Sequence, residues 1–224
     1  MKPWERLATA PVSGGGELRL LRRGEEYSIR VDGHELMNSR VHGSEEALGD
    51  RGCERFETRK APRVLVGGLG MGFTLAAVLR HLPDSGRVDV VELVPAVIQW
   101  NRDLLGHLAG DPLKDPRVSV QQRDVAEAIG ANAAAYDAIL LDVDNGPGAL
   151  TRPANDGLYS RAGLDAALAA LRPGGILAVW SVGPDRAFSE RLRQAGFEVH
   201  DTRVKARGTG DGAWHTIWIA IRKG

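Results

Sequence analysis

From residue 63 onward, short apolar runs alternate with segments whose apolar residues recur at helical spacing, and no other feature constrains the fold as tightly. RVLVGG (63–68) reads as a buried strand entering a glycine-rich turn, GFTLAAVLRHL (72–82) as a helix, and RVDVVEL (87–93) as a second strand. VPAVIQWNRDLLGHL (94–108) places Val97, Trp100, Leu104 and Leu108 on one helical face. RVSVQQRD, AEAIGANAA and YDAILLDVD continue the series as strand, helix and strand. LDAALAALRPGG (164–175) reads as a helix stopped by Pro173 and two glycines, followed by the strand GILAVWSVG (175–183). After the helix RAFSERLRQAG, the segments FEVHDTRV and WHTIWIAIR form a closing strand pair with no helix between them. Strands that are apolar throughout and separated by helices predict a mostly parallel sheet covered on both faces, with an antiparallel hairpin at one edge.

The first 62 residues read differently. Gly14-Gly15-Gly16 precedes three short runs near 17–22, 26–31 and 34–37, with Asp32-Gly33 as a hairpin turn, so residues 1–40 predict a small antiparallel β unit. Residues 41–62 predict a helix and linker, with Ser44 as N-cap ahead of Glu45 and Glu46. Residues 63–224 are then the main domain.

Chemistry-bearing residues gather at the predicted carboxyl ends of the strands. Gly67-Gly68-Leu69-Gly70-Met71-Gly72 joins the first parallel strand to its helix, where glycines let a backbone turn sharply beside a ligand. Glu92, next to Leu93, ends the second strand, the position from which an acid accepts hydrogen bonds from ribose hydroxyls. Asp124, next to Val125, ends the third strand and suits an exocyclic adenine amine; Asp142 ends the fourth. In open α/β sheets this edge is where ligands bind.

These segments together resemble the spermidine synthase-like branch of the class I S-adenosylmethionine-dependent methyltransferase fold. VLVGGLGMG is similar to that family's strand and G-G-G-D-G-G loop, VVELVPAVIQWNRDLL to its E-I-D segment, and YDAILLDVDNGPG to its Y-D-x-I-x-x-D-S-x-D-P segment. LRPGGILAVWS and GDGAWHTIWIAIRK resemble its L-x-P-G-G-x-L run and its closing hairpin. The resemblance implies a Rossmann-like domain with a seven-stranded sheet, and S-adenosylmethionine or its decarboxylated form as cofactor. It further implies that Gly67–Gly72, Glu92, Leu93, Asp124, Val125 and Asp142 line the cofactor site, with Asp142 as general base. Asp144 is a second acid beside it, and Glu45, Glu46, Asp144 and Asn145 are candidates for holding a cationic acceptor such as a polyamine. Three departures stand out: Gly70 replaces the family's loop aspartate, Asp142–Pro147 is shorter than the family segment, and Val41–Glu46 replaces a Tyr-His-Glu element.

The implied activity is transfer of an aminopropyl or related alkyl group from a sulfonium cofactor to an amine. Methyl transfer from S-adenosylmethionine to a small molecule is the alternative, and a non-catalytic nucleoside-binding module is a third reading. A nicotinamide-dependent oxidoreductase is disfavoured by the closing hairpin and the strand-four carboxylate. Composition narrows the partners. Lys plus Arg and Asp plus Glu are both 29, so the chain lacks the basic excess of a nucleic-acid binder. The histidines have no ligand spacing and there is a single cysteine, so no metal site is expected. No apolar run reaches the roughly 20 residues that span a bilayer, and a cytoplasmic, non-membrane protein is expected. Edge strands in the N-terminal unit offer a homodimer surface. Trp180 reads as core or as a wall of the site; His42, His215 and Arg152 read chiefly as ordinary satisfied or solvated side chains.

Overall fold

The computed structural model describes residues 2–12, 16–54, 56, 59–143, 146–147, 157–207 and 212–224. A four-stranded antiparallel sheet comes first, in the order β1-β2-β3-β4: β1 (Glu5–Pro11), β2 (Glu17–Arg23), β3 (Glu26–Val31) and β4 (His34–Asn38). Helix α1 (Gly43–Cys53) leads into a seven-stranded sheet of order β10-β11-β9-β8-β5-β6-β7. Its strands are β5 (Arg63–Gly67), β6 (Arg87–Glu92), β7 (Val118–Gln122), β8 (Tyr136–Leu141), β9 (Leu171–Ser181), β10 (Phe197–Lys205) and β11 (Trp214–Arg222). The helices between them are α2 (Phe73–His81), α3 (Pro95–Trp100), α4 (Val125–Gly130), α5 (Arg161–Ala170) and α6 (Arg186–Gln194).

Side-chain alternation along the strands divides the core in two. Val64, Val66, Val88, Val90 and Leu140 face one cluster, with Leu48 of α1 and Leu75 and Val78 of α2. Leu65, Val91, Ile139, Leu141 and Val179 face the other, with Ile129 of α4, Leu164 of α5 and Phe188 and Leu192 of α6. Every residue of β8 is buried, as a central strand covered on both faces requires. Its one charge, Asp137, is held at the amino end of the strand by Arg59 and Arg172, each at 2.7 Å, and by the Arg63 amide at 2.9 Å. Sheet order reverses between β5 and β8, and the crevice above that point is where ligands sit in such sheets.

Several expectations need correction. An additional strand, β1, precedes the three expected ones and pairs with β2. His42, not Ser44, caps α1, without a side-chain hydrogen bond; Ser44 is a buried residue of the first turn. The helix predicted to run through 94–108 is α-helical only to Trp100. It continues as a π-turn over Asn101–Leu105 and a 3-10 turn over Gly106–Ala109, and at the junction the Asn101 side-chain amide donates to the carbonyls of Val97 and Gly70. Helix α5 stops at Ala170, before Pro173. The amides of Ala134 and Ala135 take the Ala169 and Ala170 carbonyls, and Leu171 already pairs with Tyr136. The closing pair is the antiparallel edge hairpin expected, with β11 against β9 and β10 at the edge. Among the described residues no helix is long and apolar enough to cross a membrane.

Candidate active site

The glycine turn is drawn tightly over the sheet. The Asp142 amide donates to the Gly67 carbonyl at 2.8 Å and the Gly68 amide to the Val91 carbonyl at 2.9 Å, which ties the ends of β5, β6 and β8 together. Gly68 has φ +89°, and a Cβ there would lie 2.2 Å from the Asp142 carbonyl oxygen. No side chain fits, so glycine is what lets the turn descend onto the end of β8. Gly72 then opens α2.

The acids at the strand ends are oriented by backbone amides. Glu92 accepts from Leu69 N at 3.0 Å and from Val94 N at 2.8 Å. Asp124 caps α4 by accepting from Ala126 N at 2.7 Å. Asp142 accepts a 2.6 Å hydrogen bond from the hydroxyl of Thr74, in the first turn of α2.

Two adjoining cavities, of ≈ 150 and ≈ 110 Å³, lie above these residues. The larger is walled by Gly68, Gly70, Glu92, Leu93, Asp124 and Val125. The smaller is walled by Glu45, Leu69, Met71, Phe73 and Trp180. Asp142, Gly70, Leu36 and Met37 border both, so Asp142 stands at the junction and β4 of the N-terminal sheet roofs it. Trp180 is buried, and its Nε1 finds no hydrogen-bond partner among the described residues.

Burial pushes the Asp142 carboxyl up to about 6; the Thr74 hydrogen bond opposes the rise. Burial, and then the negative charge of Asp142, push Glu45 up to about 8. Both carboxyls line the smaller cavity, and both are raised, Glu45 further than Asp142. Burial also lowers His215, whose Nδ1 lies 2.8 Å from Ser44 Oγ and whose ring stands edge-on to Trp180 at 4.7 Å.

The expected loop residues, Glu92, Leu93, Asp124, Val125 and Asp142, therefore come together; Gly67 and Gly72 shape the turn behind the wall. Glu45 faces the smaller cavity, but its neighbour Glu46 does not. Successive helical residues diverge by about 100°, and Glu46 turns to His42, 3.3 Å away. Asp144, Asn145 and Arg152 lie outside the described residues. The sequence reading missed Thr74, Ser44 and the roof residues Leu36 and Met37. A hydroxyl inside the apolar run of α2 was a usable signal for Thr74; β4 carries no pattern pointing to a site. Among the described residues no three His, Cys, Asp or Glu side chains gather as a metal site.

Residues 46–184 match the spermine/spermidine synthase domain. The chain belongs to the spermine/spermidine synthase family. Within it, putrescine N-methyltransferase 1 of Nicotiana tabacum is 38% identical over 116 residues, which cover 51% of this chain and 29% of that enzyme. A polyamine aminopropyltransferase of Prochlorococcus marinus is 32% identical over 124 residues, covering 55% of this chain and 41% of the relative. The chain thus aligns with less than half the length of these two relatives. Spermidine synthase from Thermotoga maritima superposes with a TM-score of 0.76 over 96% of this chain and 72% of its own, at 20% identity, which shows a common fold.

Proposed function

We propose that the chain is a transferase that moves an alkyl group, in the first instance aminopropyl, from a sulfonium nucleoside to an amine, with Asp142 as general base. The observation carrying this reading is the placement of Asp142 at the junction of the two cavities. One cavity then takes the nucleoside and the other the acceptor.

The residues fit such a cofactor. The turn at Gly68 leaves no side chain between the loop and the end of β8. Glu92 and Asp124, held by backbone amides, are the groups for ribose hydroxyls and a base amine, and Val91, Leu93 and Val125 supply apolar surface for the ring. When bound, the sulfonium group supplies a carbon already activated for displacement. The chain's own residues orient the acceptor, exclude water and remove a proton. Asp142, ionised above about 6, accepts that proton, and help of this kind contributes about 10²–10⁴ in rate. Glu45, on the acceptor side, adds negative charge as pH rises and favours a cationic amine such as a polyamine.

Methyl transfer from S-adenosylmethionine is the second reading, favoured by Gly70. A Cβ built there meets the sulfur of Met37, on β4, at 3.4 Å, so the loop carries no carboxylate at this point and faces a thioether. A loop without that negative charge does not oppose a carboxylate-bearing cofactor tail. The identity to the tobacco N-methyltransferase points the same way. The test is mass analysis of putrescine and related amines after incubation with each cofactor. An aminopropyl adduct supports the first reading and a methyl adduct the second. Nucleoside binding without any adduct supports the non-catalytic module instead.

A further inference from the structure

Ser44, beside Glu45 in the first turn of α1, meets His215, near the start of β11, across the fold. The Ser44 hydroxyl donates to Glu45 Oε2 at 2.9 Å, and its oxygen lies 2.8 Å from Nδ1 of His215. Glu45 faces the acceptor cavity, Ser44 is fully buried and His215 is half-buried, so the row runs from the cleft through the interior toward the surface.

A hydroxyl carries one proton, which leaves this row two ordered arrangements. With Glu45 ionised, Ser44 donates to the carboxylate and His215 Nδ1–H donates to Ser44. With Glu45 protonated, the carboxyl donates to Ser44 and Ser44 donates to a bare Nδ1. Passing from the second arrangement to the first carries a proton from Glu45 to His215 with no heavy atom displaced.

We propose that Glu45, Ser44 and His215 form the exit route for the proton shed by the acceptor amine; this rests on the amine-alkylation reading above. The amine lone pair forms the C–N bond as the C–S bond breaks, and the C–S electron pair stays on sulfur. The products are a neutral thioether and an alkylated ammonium. Asp142 takes one proton from that ammonium. Neutralising Asp142 removes the charge that keeps the proton on Glu45. Glu45 then gives its proton to Ser44, Ser44 gives its own to Nδ1 of His215, and the imidazolium releases one from Nε2 to water. The proton left on Asp142 passes to the ionised Glu45 through solvent in the cavity both line, which restores the base, and His215 exchanges Nδ1–H for Nε2–H with water; one proton has left per alkylation.

The surroundings are consistent with this direction of flow. Glu46, on the same helix, acts on Glu45 by charge and is itself beside His42. α2 presents Thr74 to Asp142, β9 presents Trp180 beside His215, and the start of α1 meets the end of β10 through the bond from Gly43 N to the Ala206 carbonyl. Burial lowers His215, which favours the neutral ring and so the release of the proton from Nε2 to water.

The test uses the full chain in two measurements. Nitrogen NMR of His215 reads the row without turnover. Its neutral ring is expected to change from the Nε2–H to the Nδ1–H form as the solution goes from about pH 7 to about pH 9, and the change is expected to be absent in Glu45→Gln. A tautomer that stays constant in the parent overturns the proposal. In turnover, His215→Ala is expected to slow the reaction about tenfold at unchanged cofactor affinity, with the rate recovering as imidazole is added. Ser44→Ala is expected to slow it similarly without imidazole recovery. A His215→Ala rate equal to the parent, or slowed yet indifferent to imidazole, also overturns it. A parent that alkylates no amine defeats the functional reading alone, because the NMR measurement still reports on the row.

Discussion

The two walls of the cleft are built in opposite ways. The wall proposed for the nucleoside comes from consecutive strand ends, and its acids are fixed by neighbouring backbone amides: Glu92 by Leu69 and Val94, Asp124 by Ala126. The wall proposed for the acceptor is assembled from four distant segments: β4 supplies Met37, α1 supplies Glu45, α2 supplies Phe73 and β9 supplies Trp180. Its polar groups are joined by side chains, Thr74 to Asp142 and Ser44 to Glu45 and His215. Backbone amides are present whatever the side chains, so the first wall withstands substitution at Leu69, Val94 and Ala126. A wall made of side chains changes what it binds when one of them is replaced.

The largest expected effect separates the walls most sharply. Asp142→Asn should cut turnover by about 10²–10⁴ while calorimetry finds nucleoside affinity near the parental value; equal losses of both would mean that the base belongs to the nucleoside wall. Gly68→Ala should instead lower nucleoside affinity and turnover together, because the clash falls on Asp142 itself. Its Cβ would sit 2.2 Å from the Asp142 carbonyl at φ +89°, and relief of about 2 kcal/mol of strain weakens nucleoside binding about thirtyfold. Glu92→Gln keeps an oxygen acceptor but loses the charge, so a smaller drop in nucleoside affinity, about tenfold, is expected with little change in kcat.

The smallest effect concerns pH. Glu45 sits above the ordinary carboxylate value when folded, so the stability it contributes is full below that value and is lost as pH rises through about 8. Thermal melts of Glu45→Gln should therefore lose less stability than the parent between neutral and alkaline pH. Parallel curves would show that Glu45 is already ionised at neutral pH in the folded protein, as it is in the unfolded chain. Turnover should fall on the acid side, below about 6, as Asp142 takes up a proton.

The same contrast explains what the sequence disclosed. The strand–glycine–helix pattern and the acids Glu92, Asp124 and Asp142 lie within 80 residues that fold in chain order, so periodicity and strand-end position were enough to place them. Ser44 and His215 are 171 residues apart and Thr74 and Asp142 are 68 apart; neither contact leaves a local pattern. Glu45 and Glu46 were indistinguishable as a pair of acids, and only the turn of α1 assigns one to the cleft and the other to His42. Strand β1 was missed because its alternation is weak: ERLATAP mixes charged, small and apolar residues on a largely exposed edge strand.

The most direct measurement is titration calorimetry of the parent chain with methylthioadenosine, the thioether product expected of aminopropyl transfer, repeated with S-adenosylhomocysteine. One-to-one binding of at least one of them, displaced by the matching sulfonium compound, is the result predicted for a nucleoside site above the ends of β5, β6, β7 and β8. A correctly folded chain that binds neither thioether and neither sulfonium compound would contradict it.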